Sequence, residues 1–395
     1  MDKEALVRRN KMLTAAFHQQ PLQHMVRHYM LMSMSKFPFT PLPNPTNRIL
    51  FIKPDHIGDM LLATPAFRAI KQAHPETEIH VLAGPWAANI LANYSEIDRV
   101  LTVDFPGFQR NAEKSGPLAP YQYLIHVSRN LRRLQYSAAI ILRPDHWWGA
   151  MLAHAAGIRQ RIGYDLPDVV PFLTDSIALQ HEHVIDQNIR LTEVWAGSQG
   201  GDGIEYVFEP TAEEREYALS FLQHMGIQKK KLLCIHAGSG TWAKLWDEEK
   251  WAKVADTLAE QFDLAVVFTG TMQEQPSISR IKEFMRYPSF SAAGDLNLGQ
   301  LGALFEHASA VLGADSGPLH LAAAVGTPTV SLFGPADPVE FKPWGDSEHH
   351  MVLTSLIGCR PCRVLDWGDD PPEYHPCVRN ISVSDVLDAA RRVMR

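Results

Sequence analysis

Three short loops in this sequence carry the residue types best suited to moving protons and holding phosphate. The first, Lys53-Pro54-Asp55-His56-Ile57-Gly58-Asp59, follows an apolar run of strand length (RILFIK, 48–53) and opens a helical pattern over residues 59–73. A carboxylate at that point can take the proton of an attacking hydroxyl, the task of a general base. Aspartate is equally a favoured helix cap, and the residues alone leave both roles open for Asp59. The second loop, His236-Ala237-Gly238-Ser239-Gly240, is followed by Lys244. Glycines admit backbone N–H groups close to phosphate oxygens, Ser239 adds a hydroxyl and Lys244 a positive charge. Its glycine spacing fits neither the P-loop nor the dinucleotide fingerprint, so a plain glycine turn and a phosphate cradle stand side by side. The third loop runs Gly313-Ala314-Asp315-Ser316-Gly317-Pro318-Leu319-His320. Asp315 and Ser316 are capping types, and Pro318 suits a first helical turn. Such a helix start aims backbone N–H groups and the positive end of a dipole at a diphosphate, with His320 kept neutral. A well-capped buried helix is the other reading.

The elements that must position these loops follow from hydrophobic periodicity. Strands are expected over 48–53, 79–82, 100–103 and 138–142, with helices over 124–134 and 147–156. The rhythm restarts with strands over 231–236, 264–269, 310–313 and 328–333, and helices over 248–261, 274–285, 298–307 and 318–325. Strands alternating with helices give parallel sheets covered on both faces. The fold class is therefore α/β, two Rossmann-like doubly wound domains in tandem, which place a ligand cleft at the carboxyl ends of their strands. The glycine-rich run 197–203 (GSQGGDG) marks the boundary between a domain over 46–200 and another over 201–395.

Residues 1–45 form a leader. Helical spacing extends over 2–37, broken at Pro21, and four prolines between 37 and 47 make an extended linker. Residues 1–36 hold six basic side chains against two acidic ones, a net +4, which leaves −11 for the remainder of a chain whose total is −7. A basic leader on an acidic body suits peripheral contact with an anionic membrane surface, and packing on the N-terminal domain is the alternative. The body's charge argues against a nucleic-acid partner. With 395 residues, 46% hydrophobic and 21% charged, the chain is an ordinary globular one. It has no apolar run long enough to span a bilayer and no secretory signal, and its four cysteines suit a reducing, cytoplasmic setting.

The stretches RILFIKPDHIGDMLLATPAFRAIK, IHAGSGTWAKLWDEEKWAKVADTL and GADSGPLHLAAAVGTPTVSLFGPADP resemble glycosyltransferase family 9, the heptosyltransferase-like family, and the likeness runs over residues 48–381. The resemblance implies a GT-B architecture and an inverting transfer of heptose or a similar sugar from a nucleotide-sugar donor, typically ADP-heptose, with no metal and no cofactor. The implied acceptor is lipid-linked or glycan, typically the growing core of lipopolysaccharide. Carried over by motif, Asp59 matches the general base. Gly238, Ser239, Gly240 and Lys244 match the donor-phosphate loop, and Asp315, Ser316, Gly317 and His320 the donor site. Thr269, Gly270 and Glu274 sit where members contact nucleotide or sugar. The loop over 236–244 is one residue longer than the family pattern, which bears on Ser239, and the leader lies outside that pattern.

Other classes meet specific obstacles. A nicotinamide-dependent oxidoreductase needs glycines at fixed spacing after the first strand, and KPDHIGD supplies Gly58 alone. A non-catalytic nucleotide-sugar-binding protein is opposed by Asp59. Cys359-x-x-Cys362 with His375 and Cys377 could hold zinc, yet it lacks a second tight pair, and reduced thiols in a loop are the favoured reading. Trp147 and Trp148 are expected to start a helix and pack in the core rather than line an acceptor groove.

Overall fold

In the computed structural model the alternation of strands and helices resolves into two six-stranded sheets, and the structure describes residues 3–19, 22–37, 39–43, 45–108, 116, 118–197 and 203–395. The first sheet holds β1 (Arg48–Lys53), β2 (Glu78–Ala83), β3 (Arg99–Thr102), β4 (Ala138–Ile141), β5 (Gln160–Tyr164) and β6 (Asp175–Ile177). The second holds β7 (Lys231–His236), β8 (Leu264–Phe268), β9 (Ser289–Ser291), β10 (Ala308–Ala314), β11 (Thr329–Phe333) and β12 (His350–Thr354). Their orders are 3-2-1-4-5-6 and 12-11-10-7-8-9, with every pairing parallel. Each is a doubly wound sheet whose first strand lies where the winding reverses, β1 between β2 and β4 and β7 between β8 and β10. Such central strands are buried on both faces, which explains why RILFIK and KLLCIH read as near-continuous apolar runs.

The chain divides into two compact units, one of residues 20–206 and one of residues 1–19 with 207–395. The leader therefore contributes to both. Its first helix, α1 (Lys3–His18), belongs to the unit of β7–β12, and its second, α2 (Leu22–Met34), to the unit of β1–β6. The proline-rich segment is tied down as well: Leu42 is buried and its amide donates to the Gly157 carbonyl at 3.0 Å. The glycine run expected to mark a boundary falls largely outside the described residues.

Two differences from the periodicity reading have local causes. The helix expected over 59–73 is two helices, α3 (Ile57–Leu61) and α4 (Thr64–Ala73). Pro65, in the first turn of α4, has no N–H to continue a helical ladder, and the Thr64 hydroxyl donates instead to the Leu61 carbonyl at 2.8 Å. Strands β5, β6, β9 and β12 lie toward or at the sheet edges, and the last three are short or half-buried, so they lack the apolar runs that betray central strands. Among the described residues no helix is long and apolar enough to cross a membrane.

Candidate functional site

The second and third loops leave the carboxyl ends of the adjacent strands β7 and β10, at the reversal point of their sheet. The two strands approach so closely there that a side chain on Gly313 would run into the His236 carbonyl and the Leu319 side chain. Lys244 follows the loop in a single 3-10 turn and reaches Asp315, Nζ to Oδ2 at 2.6 Å, with the carboxylate buried and the lysine nearly so. Asp315 is therefore engaged by a lysine rather than acting as a cap. Ser316 occupies the N-cap position of the helix Gly317–Ala324, but its hydroxyl donates backward to the Ala314 carbonyl at 3.0 Å. That helix thus starts without a side-chain cap, with the charged pair beside its first turn. His320 is buried on the same helix. The capping expected of Asp315 and Ser316 does not occur, because each has taken another partner.

At the end of β8 the Thr269 hydroxyl meets His236 Nδ1 at 3.1 Å, both groups buried. Burial lowers the pKa of His236 although the neighbouring Glu274 carboxylate pulls it upward, so the imidazole stays neutral. Glu274 closes a 3-10 turn after Gly270 and accepts from the Thr271 amide at 2.7 Å. Its carboxylate lies directly over Gly238, where any Cβ would displace it, and against Gly270. The glycine of the second loop thus serves close approach of a carboxylate. Ser239 is half-buried and Gly240 exposed at the crest of the same loop.

In the other unit, Asp59 stands in the first turn of α3, half-buried, just past the end of β1. The N-cap position belongs to His56, so Asp59 is not the cap of that helix. Around this loop lies a buried ionic cluster that the sequence reading did not single out. Asp55 pairs with Lys53 at 3.0 Å and with the Arg143 guanidinium, and Arg143 also donates to Asp145 at 2.6 Å and lies over the Phe108 ring. Burial would raise the Asp55 pKa, but Lys53 and Arg143 outweigh it and hold the carboxyl at about 2. The cluster ties the Asp59 loop to the end of β4, and Trp86 Nε1 donates to the Asp55 carbonyl at 3.0 Å. A lysine closing an apolar strand, two residues before an aspartate, was the available signal. His146 nearby is buried among Phe105, Phe108 and Trp148, and burial drives its pKa down to about 3.

Removing Asp55 strands a buried lysine, so Asp55→Ala is expected to cost about 3–5 kcal/mol of stability in chemical denaturation. The group's folded pKa is depressed, so its contribution is complete above 3.8 and fades as the pH falls through about 2. The gap between the two proteins should narrow over that range, by about 2 kcal/mol for a shift of this size. An equal gap at all pH values would place the effect elsewhere.

Cys359, Cys362 and Cys377 are free thiols lining one small cavity with Trp367 and His375. His375 is engaged by Asp370 at 2.6 Å and stacked on Trp367, and among the described residues no group of three His, Cys, Asp or Glu side chains is placed to hold a metal ion. Trp148 is buried, its Nε1 donating to the Pro120 carbonyl at 3.0 Å, so it packs the core as expected.

Two doubly wound parallel sheets in tandem, with an uncapped helix start and a nearly buried lysine at the reversal point of one, make a GT-B plan. The family model of glycosyltransferase family 9 (heptosyltransferase) matches residues 124–366, more than half of the chain, and the chain belongs to that family. It is a glycosyltransferase. Lipopolysaccharide heptosyltransferase 3 of Escherichia coli is 27% identical over 297 residues, covering 73% of this chain and 84% of the relative. A family 9 glycosyl transferase structure from Veillonella parvula DSM 2008 superposes with a TM-score of 0.72 at 24% identity, covering 89% of this chain and 97% of the other. The E. coli ADP-heptose LPS heptosyltransferase II structure gives 0.68 at 20% identity, with coverages of 88% and 98%. At those identities the two structures speak for the fold.

Proposed function

We propose that this glycosyltransferase moves heptose or a similar sugar from an ADP-heptose-like donor to a hydroxyl of a lipopolysaccharide-type glycolipid or glycan, with inversion and without a metal. The observation that carries the reading is the uncapped helix start at Gly317 beside the Lys244–Asp315 pair. Backbone N–H groups, a helix dipole and an ammonium group converge there, the set that a departing diphosphate requires. The named relative acts on lipopolysaccharide and the E. coli neighbour on ADP-heptose, which supports that donor and acceptor class. In this reading Asp59 takes the proton of the acceptor hydroxyl, whose oxygen attacks the anomeric carbon as the sugar's bond to the diphosphate breaks. Lys244, Ser239, Gly240 and the amides at Ser316 and Gly317 hold the leaving diphosphate, while Thr269, Gly270, Glu274 and His320 border nucleotide and sugar and Gly238 makes room for the Glu274 carboxylate. The enzyme works at the cytoplasmic face of the inner membrane, in peripheral contact through residues 1–36.

A thermal-shift panel of nucleoside diphosphates and their sugars tests the donor. A ligand at about 100 times its Kd stabilises the folded state by about 2.7 kcal/mol. ADP and ADP-heptose are expected to raise the melting temperature, and ADP-heptose to be consumed when a heptose-accepting glycolipid is added. A shift with uridine or guanosine nucleotides alone would overturn the adenine assignment.

A further inference from the structure

The helix α2 is amphipathic with its faces reversed. The side chains it turns inward are largely polar: Arg27 and His28 both bind the Asp168 carboxylate at 2.9 Å, and Arg27 lies over the Trp147 ring. Leu31 alone among the helix's described side chains is fully buried. The opposite face is apolar and in water. Val26 is 69% exposed, Tyr29 71% and Phe37, just beyond the helix, 66%, with Met25 and Met30 alongside. Helical spacing puts Met25, Val26, Tyr29 and Met30 on the side opposite Leu31, with Lys36 and Phe37 exposed in the turn that follows the helix. A helix that needed to satisfy this unit alone would be turned the other way, so its exposed face calls for an apolar cover.

We infer that this face of α2, with Phe37, is a membrane-insertion surface for an anionic lipid bilayer, which extends the peripheral contact proposed above and rests on it. The charge pattern selects that occupant. Residues 22–37, α2 and the turn after it, hold Arg27 and Lys36 and no Asp or Glu, in a protein whose net charge is −7. An acidic body is repelled by anionic lipid, and this acid-free segment is not. Tyr and Phe beside Met and a long-stemmed Lys are side chains that settle at the boundary between headgroup and acyl chain. The helix's 13 residues make a rod of about 20 Å, long enough to lie in that plane and too short to cross it. The Arg27–Asp168 and His28–Asp168 contacts hold the rod with its apolar side outward.

Flotation of the full-length protein with vesicles of phosphatidylcholine containing one-third phosphatidylglycerol tests this, since the readout needs no catalysis and is independent of the donor and acceptor reading. Wild type should float with these vesicles, and at least tenfold less with phosphatidylcholine alone. Val26→Asp combined with Tyr29→Asp should abolish flotation while the melting temperature stays unchanged, because both side chains are already solvated. Lys36→Glu should weaken it about tenfold. Wild-type protein that does not float, or a double variant that floats as well as wild type, overturns the inference. So does a concentration-dependent dimer that the double variant dissolves in the absence of lipid, since the cover would then be a second copy.

Discussion

Replacing Asp59 by asparagine is expected to lower kcat by about 10²–10⁴-fold, the usual contribution of a general base, while the donor-induced rise in melting temperature survives. The expectation rests on three features. Asp59 is half-buried just past the end of the first strand of a doubly wound sheet, where that fold places its ligands. It is in the first turn of α3 without being its N-cap, so a capping role does not account for it. Asparagine keeps its shape and its place near the helix start and removes the proton-accepting charge, so stability should change little. Turnover at the wild-type rate in Asp59→Asn would show that the base is another residue.

The second large effect concerns Lys244, and here stability and catalysis must be separated. Lys244→Met leaves Asp315 as a buried carboxylate without its ammonium, which is expected to cost about 3–5 kcal/mol. The same substitution removes the cation assigned to the departing diphosphate, which should lower kcat/KM by about 10²–10³-fold. Adding Asp315→Asn to Lys244→Met removes the stranded charge, so most of the lost stability should return in denaturation curves. Turnover should not return with it. Recovery of both in the double variant would reduce the pair to a structural ion pair and remove Lys244 from the donor site.

These residues also show how far the sequence could be read. β1 and β7 have the same bounds in the structure as in the reading from their apolar runs, because central parallel strands are buried on both faces and their patterns are unambiguous. The edge strands β6, β9 and β12 escaped it for the opposite reason, since half-exposed residues follow no sharp period. The division of the helix at Leu62 and Ala63 was marked by Pro65, whose missing N–H was written in the chain.

Within the site, the motif positions located the loops but not their bonding. Gly238, Gly270 and Glu274 were each named, yet only folding showed that the Glu274 carboxylate lies over Gly238. Asp315 was expected to cap a helix and instead binds a lysine 71 positions earlier in the chain. In the Lys53–Asp55–Arg143 cluster, Arg143 lies 88 positions from Asp55 along the chain and reaches it because β1 and β4 are neighbouring strands.

What the sequence by itself determined is whatever short-range sterics and periodicity decide: an α/β chain, its central strands, the proline break and a basic leader. The tertiary structure decided which charge meets which, and which side of α2 faces water. Those choices depend on strand order and on burial, and a carboxylate pairs with whichever cation the sheet brings within about 3 Å, whatever the distance along the chain.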